Sequence, residues 1–116
     1  MHFKLIIALV DDSKTGAVME AARQAGATGA TVIGDARGEG LRPRKTFFGL
    51  TIEAQRDMLL FIVEEHLSRK ILEHIAEVGG FDTDAQRGVA FQLDIEDTIG
   101  LKRQIETILE EVEDEL

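Results

Sequence analysis

The chain alternates between short apolar runs and amphipathic stretches. Residues 3–10, FKLIIALV, are apolar and partly β-branched, and Asp11-Asp12 bound them. A short apolar run closed by polar residues predicts a buried strand. Over 13–25, Val18, Ala21, Ala22 and Ala25 recur at helical spacing, with Ser13 or Asp12 placed to cap the start and Gly26 placed to stop the helix. Residues 29–36, GATVIGDA, contain Thr31, Val32 and Ile33, which favour an extended backbone. RDMLLFIVEE (56–65) predicts another apolar strand. Residues 67–78 set Leu67, Ile71, Leu72, Ile75 and Val78 on one helical face, ended by Gly79-Gly80. After a polar loop at 81–88, residues 89–95 alternate, with Val89, Phe91, Leu93 and Ile95 on one side and a wet face on the other. Beyond Gly100, Leu101, Ile105, Ile108, Leu109, Val112 and Leu116 form a helical stripe.

The predicted order is β-α-β-β-α-β plus a terminal helix. This is an α+β, ferredoxin-like arrangement in which an antiparallel sheet carries two helices on one face. Residues 1–116 are expected to form a single domain, without linker or repeat. In the 56–65 strand, Leu59, Phe61 and Val63 occupy one side and Met58, Leu60 and Ile62 the other. A strand apolar on both sides in so small a fold calls for a partner on the face the helices leave open. A closed homo-oligomer is the economical solution.

Charge narrows the function classes. The formal net charge is -9, which disfavours a general nucleic-acid binder. Yet residues 36–49, ARGEGLRPRKTFFG, concentrate Arg37, Arg42, Arg44 and Lys45 with only one acid, Glu39. There is no cysteine, so thiolate metal sites and disulfides are excluded. No run has the length of a membrane span, and the start reads as a strand rather than a leader, so a cytoplasmic domain is expected. His2, His66 and His74 lack ligand spacing, and no metal site is expected. No nucleophile, paired acid or Ser-His-Asp set suggests catalysis.

Three segments, GATGATVIGDARGEG (26–40), RKTFFG (44–49) and GVAFQLDIEDTIGL (88–101), together resemble the nitrogen-regulatory P-II family and its P-II-like relatives. The third is the most specific: a glycine, a strand start ending in Phe91, then the turn Ile95-Glu96-Asp97. The resemblance implies a homotrimer whose inter-subunit clefts bind an adenine nucleotide (ADP, AMP or ATP as effector, with no required cofactor). Many members couple this to a small metabolite such as 2-oxoglutarate, and bicarbonate is a further candidate. Residues 38–55 match the family's long flexible loop, which docks on a regulated transporter, enzyme or regulator. Arg42, Arg44, Lys45, Phe47 and Phe48 would then form the partner-binding surface, their cations meeting phosphate or an acidic partner.

The resemblance also assigns ligand contacts. Gly38 and Gly40 match glycines that admit the backbone close to the nucleotide, although on spacing alone a turn or bulge at the strand end explains them better. Thr31 matches a threonine near the base, and Ile62 an apolar wall that would be core in any case. Gly88 matches the last glycine of the phosphate-side loop. Here the chain departs from the family pattern: Gln86 replaces a glycine, Val89 replaces the lysine, and Arg87 is the nearby cation. Of two basic residues after the last strand, Gly100 replaces the first, while Lys102 is kept with Arg103 beside it. Two lost cations predict weak triphosphate binding and a preference for ADP or AMP. The chain has no tyrosine, so the tyrosine modification used by many members is excluded. A trimeric metal-tolerance or scaffold protein similar to the CutA family, without nucleotide, is the rival reading.

Overall fold

The computed structural model describes residues 1–36, 46–47, 50–51, 56–83 and 88–115. Its main sheet is built from β1 (Phe3–Asp11), β2 (Thr31–Ala36), β5 (Arg56–Glu64) and β6 (Gly88–Ile95), in the spatial order β2-β5-β1-β6 with all neighbours antiparallel. Among the described residues, two short strands, β3 (Thr46–Phe47) and β4 (Leu50–Thr51), pair with each other in a separate sheet. The helices are α1 (Thr15–Gln24), α2 (Glu65–Gly79) and α3 (Lys102–Glu115). The α+β, ferredoxin-like order and the extra C-terminal helix are as the periodicity predicts.

Period-two alternation sends one half of each central strand towards α1 and α2. From β1 these are Ile6, Ala8 and Val10, and from β5 Leu59, Phe61 and Val63, all buried. They meet Val18, Ala21 and Ala22 of α1 and Leu67, Ile71 and Ile75 of α2 in one cluster. The alanines let α1 lie close, while each fully buried Phe, Ile or Leu contributes about 1.5–3 kcal/mol. Val78 does not join this face and is exposed.

Helix boundaries follow local chemistry. The carboxylate of Asp11, rather than Asp12 or Ser13, accepts from the Ser13 backbone N–H at 3.0 Å and caps a 3-10 turn over Asp12–Lys14 that leads into α1. α2 begins two residues before the periodicity does, because Glu64 Oε2 accepts from the His66 N–H at 2.8 Å. It ends where Gly80 takes the left-handed conformation, with φ 65°.

The other half of the sheet faces away from α1 and α2. Registers place Leu5, Ile7 and Leu9 of β1 between Ile62, Leu60 and Met58 of β5 and Leu93, Phe91 and Val89 of β6. The apolar side of β6 therefore belongs to this open face, and Ala90 and Gln92 turn towards the helical layer. Ile62, Phe91 and Leu93 remain 39%, 38% and 50% exposed in the single chain. The terminal helix covers part of it: Leu101 and Gln104 share a cavity with Leu60 and Ile62. Of its stripe, Ile108 is buried, whereas Leu109 is exposed.

Candidate functional site

Antiparallel pairing places Thr31 of β2 opposite Leu60 of β5, so Thr31 and Ile62 approach the same stretch of open face. The segment entering β2, Thr28-Gly29-Ala30, lies beside them, and the start of α3 closes the far side. Together Thr28, Gly29, Ala30, Thr31, Leu60, Ile62, Leu101 and Gln104 line a cavity of about 280 Å³. Leu60, Ile62 and Leu101 supply its aliphatic side chains, Gly29 and Ala30 its small residues, and Thr28, Thr31 and Gln104 two hydroxyls and one carboxamide, so the lining is mixed with polar surface prominent. Gly100, with φ 102°, turns the chain from the β6 exit into α3. Lys102 and Arg103 follow, exposed, between Leu101 and Gln104, which both line the cavity.

The structure thus brings together two residues named from the sequence, Thr31 and Ile62, and sets Lys102 and Arg103 on the turn next to their cavity. Gly88 lies elsewhere. It pairs with Val10 at one end of β1, whereas Ile62 pairs with Leu5 on the opposite side of that strand. Five residues of offset is about 17 Å along the strand. Gly88 also has a packing role, since a Cβ there would stand 2.6 Å from Phe81 Cε1 and 2.7 Å from the Leu9 carbonyl oxygen. Gly38, Gly40, Arg42, Arg44, Lys45, Phe48 and Arg87 lie outside the described residues, and Phe47 is placed only as a backbone position in β3.

The 38–55 segment springs from a polar corner. Arg56, buried at the start of β5, lies 3.5 Å from Asp11 Oδ2. The Asp11 carboxyl is held below the usual carboxylate range, first by the Ser13 N–H and also by the Arg56 charge, against a partial desolvation penalty. On the β2 side, Asp35 adopts φ 59° where the pairing register shifts between Ile33 and Ala36.

A larger cavity, about 390 Å³, lies on the other side of the 28–30 segment beneath α1, lined by Met19, Ala27 and Phe61 among others. Its charged groups, Glu20 and Arg23, pair with each other. The cavity beside Thr31 has the better claim to a polar ligand, because its hydroxyls and carboxamide make no hydrogen bond to other described residues.

Sequence reasoning missed Thr28, Leu101 and Gln104 as lining residues. Leu101 was visible as part of the C-terminal stripe, but which neighbour the stripe faces is a tertiary fact. It also missed a close group at the start of α2, where Glu64, Glu65 and His66 offer ligand-type atoms within 4.8 Å of one another. Both oxygens of buried Glu64 are already engaged, by the His66 N–H and by His66 Nδ1 at 2.5 Å. This arrangement caps the helix.

The sequence profile described as nitrogen regulatory protein P-II matches residues 3–111. The chain belongs to the P-II family. No curated protein matches it in sequence. Among solved structures, this P-II chain is similar to CPII of Thiomonas intermedia K12 bound to ADP, AMP and acetate, with TM-score 0.68 and 21% identity over 87% of this chain and 93% of that one. The same protein bound to ADP and bicarbonate gives TM-score 0.67 and 21% identity, over 90% and 94% of the two chains. A candidate PII-like signalling protein of Thermus thermophilus gives 0.59 and 24%, over 82% and 88%. These likenesses establish the fold. Among the described residues, no helix is long and apolar enough to cross a membrane.

Proposed function

We propose that this P-II chain is a cytoplasmic, non-enzymatic signalling protein. In this reading a homotrimer binds an adenine nucleotide in clefts between subunits and reports it to a regulated protein through residues 38–55. The observation that carries the reading is the shared cavity: Thr31 and Ile62 are walled by the same chain turn that presents Lys102 and Arg103. A slot with aliphatic side chains and a few convergent polar groups suits a base, and adjacent exposed cations suit phosphate. The separation of Gly88 from this cavity favours a cleft completed by a second subunit, whose Gly88 loop would approach from outside. Structural relatives bound to ADP and AMP support the ligand class. The basic loop residues Arg42, Arg44, Lys45, Phe47 and Phe48 would meet the partner, and residues 1–116 would act as one unit.

Calorimetry with ADP, AMP and ATP on the wild type and on Lys102→Ala/Arg103→Ala tests this. The missing lysine at Val89 and missing cation at Gly100 remove two charge-assisted contacts, each worth roughly 1.5–3 kcal/mol. ATP binding is therefore expected to be weaker, by on the order of a hundredfold or more, than in a site retaining both groups, while ADP or AMP loses less. The double variant should weaken all three. Tight ATP binding unaffected by the double substitution would sink this placement. Failure of every adenine nucleotide at millimolar concentration would favour the CutA-like scaffold reading.

A further inference from the structure

We propose that Gln104 is the residue that distinguishes adenine from guanine in this cleft, by pairing its carboxamide with the edge of the bound base. The inference rests on the nucleotide reading above. Gln104 lies in the first turn of α3, three residues after Leu101, so both side chains reach the same cavity. Across it stand Leu60 and Ile62 from the open sheet face. A planar base laid between Leu101 and Ile62 would turn an edge towards Gln104, because that carboxamide is the longest polar group lining the space.

The chemistry of that edge is selective. A carboxamide offers one donor and one acceptor side by side. Adenine presents the matching pair, its exocyclic N6 amino donor beside a ring nitrogen acceptor, and glutamine pairs with N6 and N7 in a bidentate manner. Guanine presents two acceptors, N7 and O6, on the corresponding edge, which a carboxamide satisfies only once. The hydroxyls of Thr28 and Thr31 complete the polar lining but discriminate poorly, since each can donate or accept. No described side chain occupies the Gln104 amide, so it is available without breaking an existing hydrogen bond.

The test is calorimetry of the intact protein with ADP and GDP, for the wild type, Gln104→Leu and Gln104→Glu. Circular dichroism confirms that each variant keeps its helices. The wild type should prefer ADP. Gln104→Leu should lower ADP affinity between about fivefold and a hundredfold, with little change for GDP. Gln104→Glu should also weaken ADP, because a carboxylate only accepts. It should weaken GDP too, because on the same edge a carboxylate meets only the N7 and O6 acceptors. Equal wild-type affinity for the two nucleotides, or ADP binding unchanged in both variants, overturns the role of Gln104 and leaves the nucleotide reading standing. A wild type that binds neither nucleotide overturns both.

Discussion

The hydroxyl of Thr15, the first residue of α1, donates a 2.6 Å hydrogen bond to Oδ2 of Asp57, the second residue of β5. The contact is part-buried and joins residues 42 apart in the chain. The other Asp57 oxygen lies 3.7 Å from where a Cβ on Gly34 would stand, so the end of β2 packs at the same corner. One bond thus ties the start of α1 to β5, at a corner where β2 also packs.

Thr15→Val keeps the shape of that side chain and removes its donor. Losing a hydrogen bond to a carboxylate in this setting should cost about 1–3 kcal/mol. Urea denaturation should show a lower midpoint with an unchanged slope. A midpoint equal to the wild type would mean that the bond adds nothing to stability.

Gly88→Ala should destabilise the fold by about 1–3 kcal/mol through overpacking. A side chain there meets both the Phe81 ring and the Leu9 backbone oxygen, and only the ring can move. Phe81→Leu in the same chain should therefore recover part of the loss and not all of it. Thermal unfolding of the single and double variants checks this. Full tolerance of Gly88→Ala would leave a ligand contact as the better explanation for the glycine.

The open sheet face predicts association. Sedimentation equilibrium should give roughly three times the 12.8 kDa chain mass. Leu93→Lys places a charge on a half-exposed apolar strand position of that face and should shift the protein towards monomer. A wild type that stays monomeric at micromolar concentration would contradict the trimer.

His66 sets a pH dependence. Its pKa is raised, chiefly by the hydrogen bond to Glu64 and then by the charge of that carboxylate. A raised folded-state pKa gives stability that is complete below the unfolded value of about 6.5 and is lost as pH rises through the folded value. The melting temperature should thus fall modestly on the alkaline side of about pH 6.5, and His66→Gln should flatten that slope. At acid pH the lowered pKa of Asp11 acts oppositely: its contribution is present above its unfolded value and disappears as pH falls. An identical slope in His66→Gln would show that the pair does not contribute.

Much of the fold was legible because the periodicities are local. Alternation in β5 and the 3.6-residue spacing in α2 record which side chains must leave water, and Gly80 and Gly26 mark the ends. Boundaries were less legible where a side chain overrode the pattern, as when Glu64 caps α2 ahead of its apolar stripe. The alternation of β6 marked two faces without saying which one the helices would cover. Its apolar side proved to extend the open face, because register with Leu5, Ile7 and Leu9 decides it.

The sequence by itself determined the element order, the family and the presence of Thr31, Ile62, Lys102 and Arg103, since each depends on residue type and near spacing. Only the tertiary structure decided that Thr31 and Ile62 line one cavity beside the turn carrying Lys102 and Arg103, while Gly88 stands apart. Strand order and register bring residues together across dozens of positions, and no local pattern encodes that. Gln104 shows the same limit: on the helix it is one polar residue beside an apolar stripe, and only the docking of α3 over Leu60 and Ile62 aims it at a cavity.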